Sequence, residues 1–544
     1  GSTPTDDLVD GEPEPFKFSN VFRRRKNEDL DAIATKRSVF DDPELAPHYW
    51  PKKEYENIHR FDPNARWTFA EEKALVRKID WKVMLWAAIS FSALNLDRNN
   101  LTQANTDNFL PDLGLTTDDY NWGNSIFKLA FLCAELPSQL VSKRVGPDRW
   151  IPTQMVLWSI VTMAQFWLSG RTSFLLCRAL LGWFIQGGFI PDLILYLSYF
   201  YTKNELPFRL ALFWMSSNVC TIIGSFIAFG VLHMRGVLGR AGWRWLFLFE
   251  GLITLVIGTA TFFRMPPSPT QTKSWFRPKG WFNEREETIA VTRILRDDPT
   301  KGDMHNREGL TLKRLWIAVC DYDLWPVYFI GLMFGIPTSP PSSYLTLSLR
   351  NIGFNTFQSN LLTIPSTVAG MITNFGITLV SETVNDRSFV AMAEDFWILP
   401  FLVAIYCLPD SPNQWLYFGL ASGLLSYPYV RMFPWGWCSR NSGAVASRTV
   451  NASLYNMFVQ ASGIISAQIY RKDDAPNYRR GNKILITICC FNMLIMYPGT
   501  KAYYIYRNRQ RDRIWNAMSL EERKHYLETT TDIGNRRLDF RFAH

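Results

Sequence analysis

Residues 120–142, YNWGNSIFKLAFLCAELPSQLVS, decide how the rest of the chain is read. The stretch is a largely apolar run of about 20 residues, long enough as a helix to cross a hydrocarbon core of roughly 30 Å. It nevertheless holds Lys128 and Glu135. An ionisable group inside a membrane span is costly, so its presence points to function and to a partner. The two residues are seven apart, nearly two turns, and therefore share one stripe of a helix. No acid lies within one turn of Lys128. A cross-helix acid or an anionic cargo must then neutralise it.

Similar runs occur at 82–101, 150–169, 172–196, 208–232, 243–263, 324–348, 357–380, 395–409, 414–433, 443–469 and 484–505, which makes twelve in all. They do not alternate apolar and polar residues, which excludes a membrane barrel. The expected fold is all-α and polytopic. The 544 residues are 47% hydrophobic, 15% aromatic and 20% charged, with a mean hydropathy of −0.07. That average hides polar segments at 1–80, 265–323 and 505–544 beside nearly charge-free spans. The net charge of +9 lies mostly in tails and loops, which argues against nucleic acid as a partner. The eight cysteines form no CxxC pair and the six histidines are scattered, so no metal site is expected. The first apolar run begins near Val83, so no signal peptide is expected.

Loop charge sets the expected orientation. Arg23, Arg24, Arg25, Lys26, Lys73, Arg77 and Lys78 precede the first run, and Lys143, Arg144 and Arg149 follow the second. The loop 102–119 has no Lys or Arg, only Asp107, Asp112, Asp118 and Asp119. Both termini are therefore expected in the cytoplasm. The loop after the eleventh run, with Arg471, Lys472, Arg479, Arg480 and Lys483, runs against this pattern. The expected division is a tail at 1–80, a six-helix bundle at 81–264, a linker at 265–323, a second bundle at 324–506 and a tail at 507–544. The tails read as disordered or loosely helical. Two six-helix halves enclosing a mid-membrane site is the plan of major facilitator transporters.

The first half carries the charge. Asp97 and Arg98 in LNLDRNNL point about 100° apart, so they cannot both face one ligand. Arg98 is expected to face the cavity, with Asp97 orienting it or pairing with another basic group. Arg178 and Asp192 lie in the fourth run and Glu250 in the sixth. Asp97–Arg98 and Glu135–Arg178 could equally be fixed salt bridges, and Glu250 reads more as structural than as functional. The second half adds shape and hydrogen bonds. In GIPTSPPSSY (335–344), Pro337, Pro340 and Pro341 should break the seventh helix, leaving Thr338, Ser342, Ser343 and Tyr344 at a gate. Asn374, Ser422, Ser426 and Tyr427 could line the cavity or simply pack helices.

The chain resembles the fungal anion:cation symporter (allantoate permease-like) branch of the major facilitator superfamily. The resemblance rests on LDRNNL (96–101), FLCAELPS (131–138), VGPDRW (145–150), RALLG (178–182), SYFYTKNELPFR (198–209), GWRWLFLFEG (242–251) and DAPNYRRGN (474–482), which span roughly 80–510 in order. TQANTDNFL (102–110), AELPSQLVSK (134–143) and GGFIPDLILYLSYFYTKNELP (187–207) look closest to alternative sulfate and sulfonate transporters. The resemblance implies proton-coupled uptake of a small organic or sulfur-containing anion across the plasma membrane, with Arg98 and Glu135 functional. Family members often carry a Glu where this chain has Gln186, so Asp192 or Glu135 would hold the proton. The expected substrate ligands are Arg98, Lys128, Ser343, Tyr344, Asn374 and Tyr427. Glu135, Asp97 and Asp192 would couple protons, and Arg178, Gln186, Glu250 and Pro340 would be structural or gating. The proton is the only coupling ion expected, with no cofactor, a lipid bilayer around the chain and a monomeric state. A carboxylate or vitamin importer fits the same residues. A proton-driven exporter fits less well, because Lys128 is central, and an enzyme least, because no catalytic constellation is present.

Overall fold

A computed structural model describes residues 30–43, 46–51, 53, 55–186, 189–202, 205–299, 301, 312–384, 387–429, 437–438, 441–442, 445–530 and 534–542. Helix α1 (Phe69–Ile79) passes through a π turn at Asp80–Met84 into α2 (Leu85–Ala104). Helix α3 (Thr117–Val145) opens on a capping box, in which Thr116 and Asp119 satisfy each other's backbone N–H groups. It stops at Gly146, whose φ of 93° suits glycine, and Pro147 then starts α4 (Pro147–Ala164). The fourth run contains α5 (Arg171–Gln186) and α6 (Phe189–Ser198). Helices α7 (Leu206–Val231) and α8 (Gly242–Arg264) complete the first bundle.

Helix α9 (Glu284–Asp297) belongs to the linker. The second bundle contains α10 (Trp325–Phe334), α11 (Ser339–Ile352), α12 (Ile364–Val384), α13 (Arg387–Tyr406), α14 (Gln414–Leu425) and α15 (Val445–Ser466). It ends in α16 (Arg479–Phe491), a π turn at Asn492–Met496, and α17 (Tyr497–Ala517). The seventh run breaks between α10 and α11, where the prolines were expected to break it. Among the described residues, three helical stretches are long and apolar enough to cross a membrane by composition alone: Leu212–Met234, Gly242–Arg264 and Arg479–Ala517. The seventh run is helical but interrupted between α10 and α11.

Within the first bundle α3 packs on α5, α4 on α8, and α2 on both α7 and α8. Close approach of α3 and α5 depends on Gly182, since a Cβ there would lie 2.2 Å from the Phe127 carbonyl oxygen. In the second bundle α10 packs on α15, and α13 packs on α14 and α16. The bundles meet where α3 packs on α15, α7 on α12 and on the short helix Thr356–Leu361, and α2 on α11.

The described parts of both expected tails are more ordered than their composition suggested. Residues 30–68 lie against α9, where Arg296 donates to Asp41 at 2.5 Å and to the Lys36 carbonyl, and Arg60 donates to Glu287 at 2.9 Å. The side chain of Arg293 is 3% exposed; it reaches Glu205 at 2.7 Å, Glu72 at 3.5 Å and the Phe200 carbonyl at 3.0 Å. The linker thus ties the amino-terminal segment to the loop between α6 and α7. At the other end, α17 carries the last helix past residue 506, and the chain then folds back. Phe542 is buried against Tyr504, and Asp323 accepts from Arg507 at 2.9 Å and Tyr503 at 2.6 Å. The segments were misread because their buried ion pairs are formed with residues hundreds of positions away, which local composition does not report.

Burial pushes the Glu205 carboxyl up, but Arg293 and the Thr202 N–H outweigh it and hold it below the ordinary 4.5. Its contribution is therefore present above that value and fades as pH falls through the lowered one. Arg293→Ala should cost about 3 kcal/mol and expose the linker helix α9 to limited proteolysis. In the unsubstituted protein, cleavage of that segment should begin to rise only below pH 4.5.

Candidate substrate cleft

The bundles meet along a seam that is closed at the end bearing loop 102–119. There Thr346 donates to the Thr102 carbonyl at 2.6 Å, Thr356 to the Thr106 carbonyl at 2.8 Å, and Asn360 to the Thr106 hydroxyl at 2.7 Å. Tyr120 donates to the Ser343 carbonyl at 3.1 Å, and Tyr344 to the Asn121 side chain at 2.5 Å. Four tyrosines fill the closure: Tyr344 meets Tyr120, Tyr470 and Tyr478 edge-on at 5.3–5.4 Å, and Tyr470 stacks on Tyr478 at 4.5 Å. One apolar cluster spans both bundles here, from Leu101 and Phe109 to Ile336 and Leu424.

Away from that closure, α3 and α15 run antiparallel and contact each other in steps. Asn121 bonds the Tyr470 carbonyl, Gln468 donates to Ser125 at 2.9 Å, Lys128 to Gln460 at 3.3 Å, and Asn456 to Glu135 at 3.3 Å. Lys128 can cross because Gly463 lies beneath it. A Cβ at Gly463 would sit 3.2–3.3 Å from three carbons of the lysine stem. Glu135 is 3% exposed, and its Oε2 has no hydrogen-bond partner among the described residues. The shared stripe expected from the spacing therefore does face the opposite bundle.

Asp97 and Arg98 part as their 100° offset requires. Arg98 is half-buried, with Tyr429 as an electrostatic neighbour, and the Tyr429 N–H donates to Asn374. Arg98 and Asn374 thus approach one residue that the sequence reading passed over. Asp97 points the other way, into its own bundle, where Trp158 donates to it at 2.9 Å and Glu250 is its charged neighbour. The expectation that Asp97 orients Arg98 or pairs with a basic group is therefore corrected. Its partners are an indole and a second acid, because α4 and α8 cover that face of α2. A Glu135–Arg178 bridge is not formed either. Arg178 lies two to three turns nearer the closed end, donating to Asn124 at 3.2 Å and stacking over Phe127 at 4.5 Å.

Asp192 is completely buried in the first bundle beside core residues Phe189, Leu193 and Tyr196. Gln186 ends α5, and its side chain lies outside the described residues. Ser343 and Tyr344 belong to the tyrosine closure instead of the Lys128 level, Tyr427 packs against that same cluster, and Pro340 is buried in the first turn of α11. The second half is not free of buried charge, as its apolar run had suggested. Helix α13 begins at Arg387, eight residues before the expected 395, and so adds Glu394 to the Asp395 at which the expected run opened, each 1% exposed.

Residues 85–467 match the Major Facilitator Superfamily. The chain belongs to that superfamily. It is 44% identical over 519 residues to the Uncharacterized transporter YIL166C of Saccharomyces cerevisiae, covering 94% of this chain and 95% of that one. It is 25% identical over 450 residues to the Major facilitator-type transporter hxnP of Emericella nidulans, covering 81% and 88%. Its fold is similar to that of the Escherichia coli xylose transporter XylE in a partially occluded inward-open conformation, with a TM-score of 0.55 at 11% identity over 76% of this chain and 96% of that one. This facilitator is therefore an all-α polytopic membrane transporter, with two six-helix bundles, and not an enzyme.

Sequence reading missed Asn456, Gln460 and Gly463, although their spacing of four and three puts them on one face of a helix. That face complements the Lys128–Glu135 stripe. Gly463→Leu should lower transport by at least about tenfold, equivalent to about 1.4 kcal/mol, with unchanged folding by thermal melt. Gly463→Ala should cost less, because the flexible lysine stem can move a few tenths of an ångström.

Proposed function

We propose that this facilitator is a proton-coupled importer of a small anion, a sulfur oxyanion or organic sulfonate, working by alternating access. The observation that carries the reading is that Lys128 reaches across the seam to α15 and that Arg98 approaches Tyr429 of the second bundle. Both cations expected to bind substrate thus lie near residues of the opposite half. A guanidinium offers a planar fork to an oxyanion, and the ammonium adds a compact point charge. Closure at the tyrosine end, with the polar Lys128–Glu135 stripe behind it, is the arrangement from which rocking of the halves would exchange access.

Moving an anion into a negative-inside cell costs about 2.3 kcal/mol per charge per 100 mV, and a cotransported proton offsets that. Glu135 is the carrier best placed to couple the two events. It lies on the same stripe as Lys128 and is held by Asn456 of the opposite bundle, so its surroundings must change when the bundles separate. Asp97 and Asp192, enclosed within one bundle, would be affected only indirectly.

Uptake of sulfate and of taurine into transport-deficient cells should be several-fold faster at about pH 5 than at about pH 7.5. Equal rates with the membrane potential clamped would remove proton coupling. Uptake of allantoate or nicotinate alone would keep symport and move the cargo to carboxylates, and export would reverse the direction. Lys128→Ala should weaken uptake by about a hundredfold, the cost of roughly 2.7 kcal/mol of lost charge pairing. Glu135→Gln should abolish pH dependence while leaving substrate exchange measurable, and retained pH dependence would move the proton to Asp97 or Asp192.

A further inference from the structure

A second cavity, of about 500 Å³, opens where α4 begins, α8 ends and the linker leaves the membrane. Three cations, Arg149, Lys273 and Arg277, line it together with one acid, Asp148, and with Gln271 and Ser274. Arg264, the last residue of α8, lies close enough to Arg277 for the two charges to repel. Acids do not balance this group. Asp148 meets Arg149 only at 4.0 Å, and Glu284 is an electrostatic neighbour of Lys273. Arg277 donates to the Thr272 carbonyl at 2.9 Å and lies over the rings of Trp281 and Phe276 at 4.4 and 5.3 Å. None of these partners is a carboxylate.

The cations are held in place by the local backbone. Ser274 and Arg277 exchange backbone hydrogen bonds at 3.1 and 2.9 Å, and the Trp281 N–H donates to the Thr272 hydroxyl at 3.0 Å. The tight turn presents Lys273 and Arg277 together. Beside it, Trp275 is 87% exposed, and Phe263 and Phe276, 46% and 41% exposed, meet edge to face at 5.3 Å. Such aromatic exposure is unfavourable in water but suits the boundary between acyl chains and headgroups.

We propose that this cavity binds the phosphate headgroup of an anionic phospholipid from the leaflet on the linker side, with Trp275, Phe263 and Phe276 against its acyl chains. Arg149, Lys273 and Arg277 surround the phosphate, and the lipid neutralises the repulsion between Arg264 and Arg277. Basic pockets between membrane helices beside an aromatic belt are the chemistry that captures such headgroups. The assignment does not depend on which anion the central cleft transports.

The test uses the purified full-length protein in micelles doped with phosphatidylserine, with phosphatidylcholine, or with inorganic phosphate at equal phosphate concentration. Retained lipid is counted by native mass spectrometry, and thermal melting is followed in parallel. Phosphatidylserine should be retained and should raise the melting temperature, whereas phosphatidylcholine and inorganic phosphate should do neither. Lys273→Gln with Arg149→Gln removes two exposed charges without disturbing packing, and should weaken phosphatidylserine retention by about twentyfold, roughly fivefold per charge. Arg277→Lys, which keeps the charge but loses the fork, should weaken it less. Equal retention of phosphatidylserine and phosphatidylcholine, or unchanged retention in the double variant, would overturn the proposal. An effect of inorganic phosphate equal to that of phosphatidylserine would assign the site to the free ion and overturn it as well.

Discussion

The passage of Lys128 across Gly463 is the contact on which the arrangement of the two bundles turns. A lysine stem needs a smooth, narrow path to bring its ammonium across a helix seam, and a glycine on the opposing helix supplies one. Once Lys128 is seated there, the antiparallel register of α3 and α15 is set. Asn456 then falls opposite Glu135, Gln468 opposite Ser125, and the Tyr470 carbonyl opposite Asn121. A displacement of one turn, about 5.4 Å, would break every one of these pairs together. The seam therefore behaves as a unit, and its polar pairs lie between bodies that must separate for transport to occur.

The closure at one end of the seam is built differently. Four tyrosines and an apolar cluster supply shape, while hydroxyl groups bond mainly to backbone carbonyls: Thr346 to Thr102, Thr356 to Thr106 and Tyr120 to Ser343. Neutral bonds of this kind are each worth only about 1 kcal/mol net. Such a closure can open without stranding a charge, which a buried ion pair would not allow. Ion pairs at that end form within one bundle, as where Arg235 bridges Asp107 and Asp112 at 3.0 Å, while Asp118 accepts a backbone N–H, that of Lys472, from the other. Ionic contacts hold each half rigid, and softer contacts join the halves.

Outside the spans, ionic contacts serve to tie chain segments down. Arg293 fastens the linker to the α6–α7 loop, Arg296 fastens it to the segment before α1, and Asp323 gathers Arg507 and Arg511 from the end of the last helix. Each arginine holds several acceptors at once, which a planar guanidinium does at less entropic cost than separate side chains. The polar segments thus brace one bundle each, leaving the seam to move.

Much of the body was legible in the sequence because membrane physics acts locally. A hydrocarbon core demands apolar runs of a set length, so the spans were visible as runs. Helical periodicity put Lys128 with Glu135 and sent Asp97 and Arg98 apart, and three prolines in ten residues broke the seventh helix. The partners were not legible. Gln460 lies 332 residues from Lys128, and Asn456 lies 321 from Glu135. Glu394 fell outside the expected run because a hydropathy run stops at a charge, whereas a helix continues through one when its neighbours bury it. Local rules determine which residues share a helix face. Which faces meet is decided only when two bundles dock as rigid bodies, and that docking turned a lysine, a glycine and an asparagine into one site.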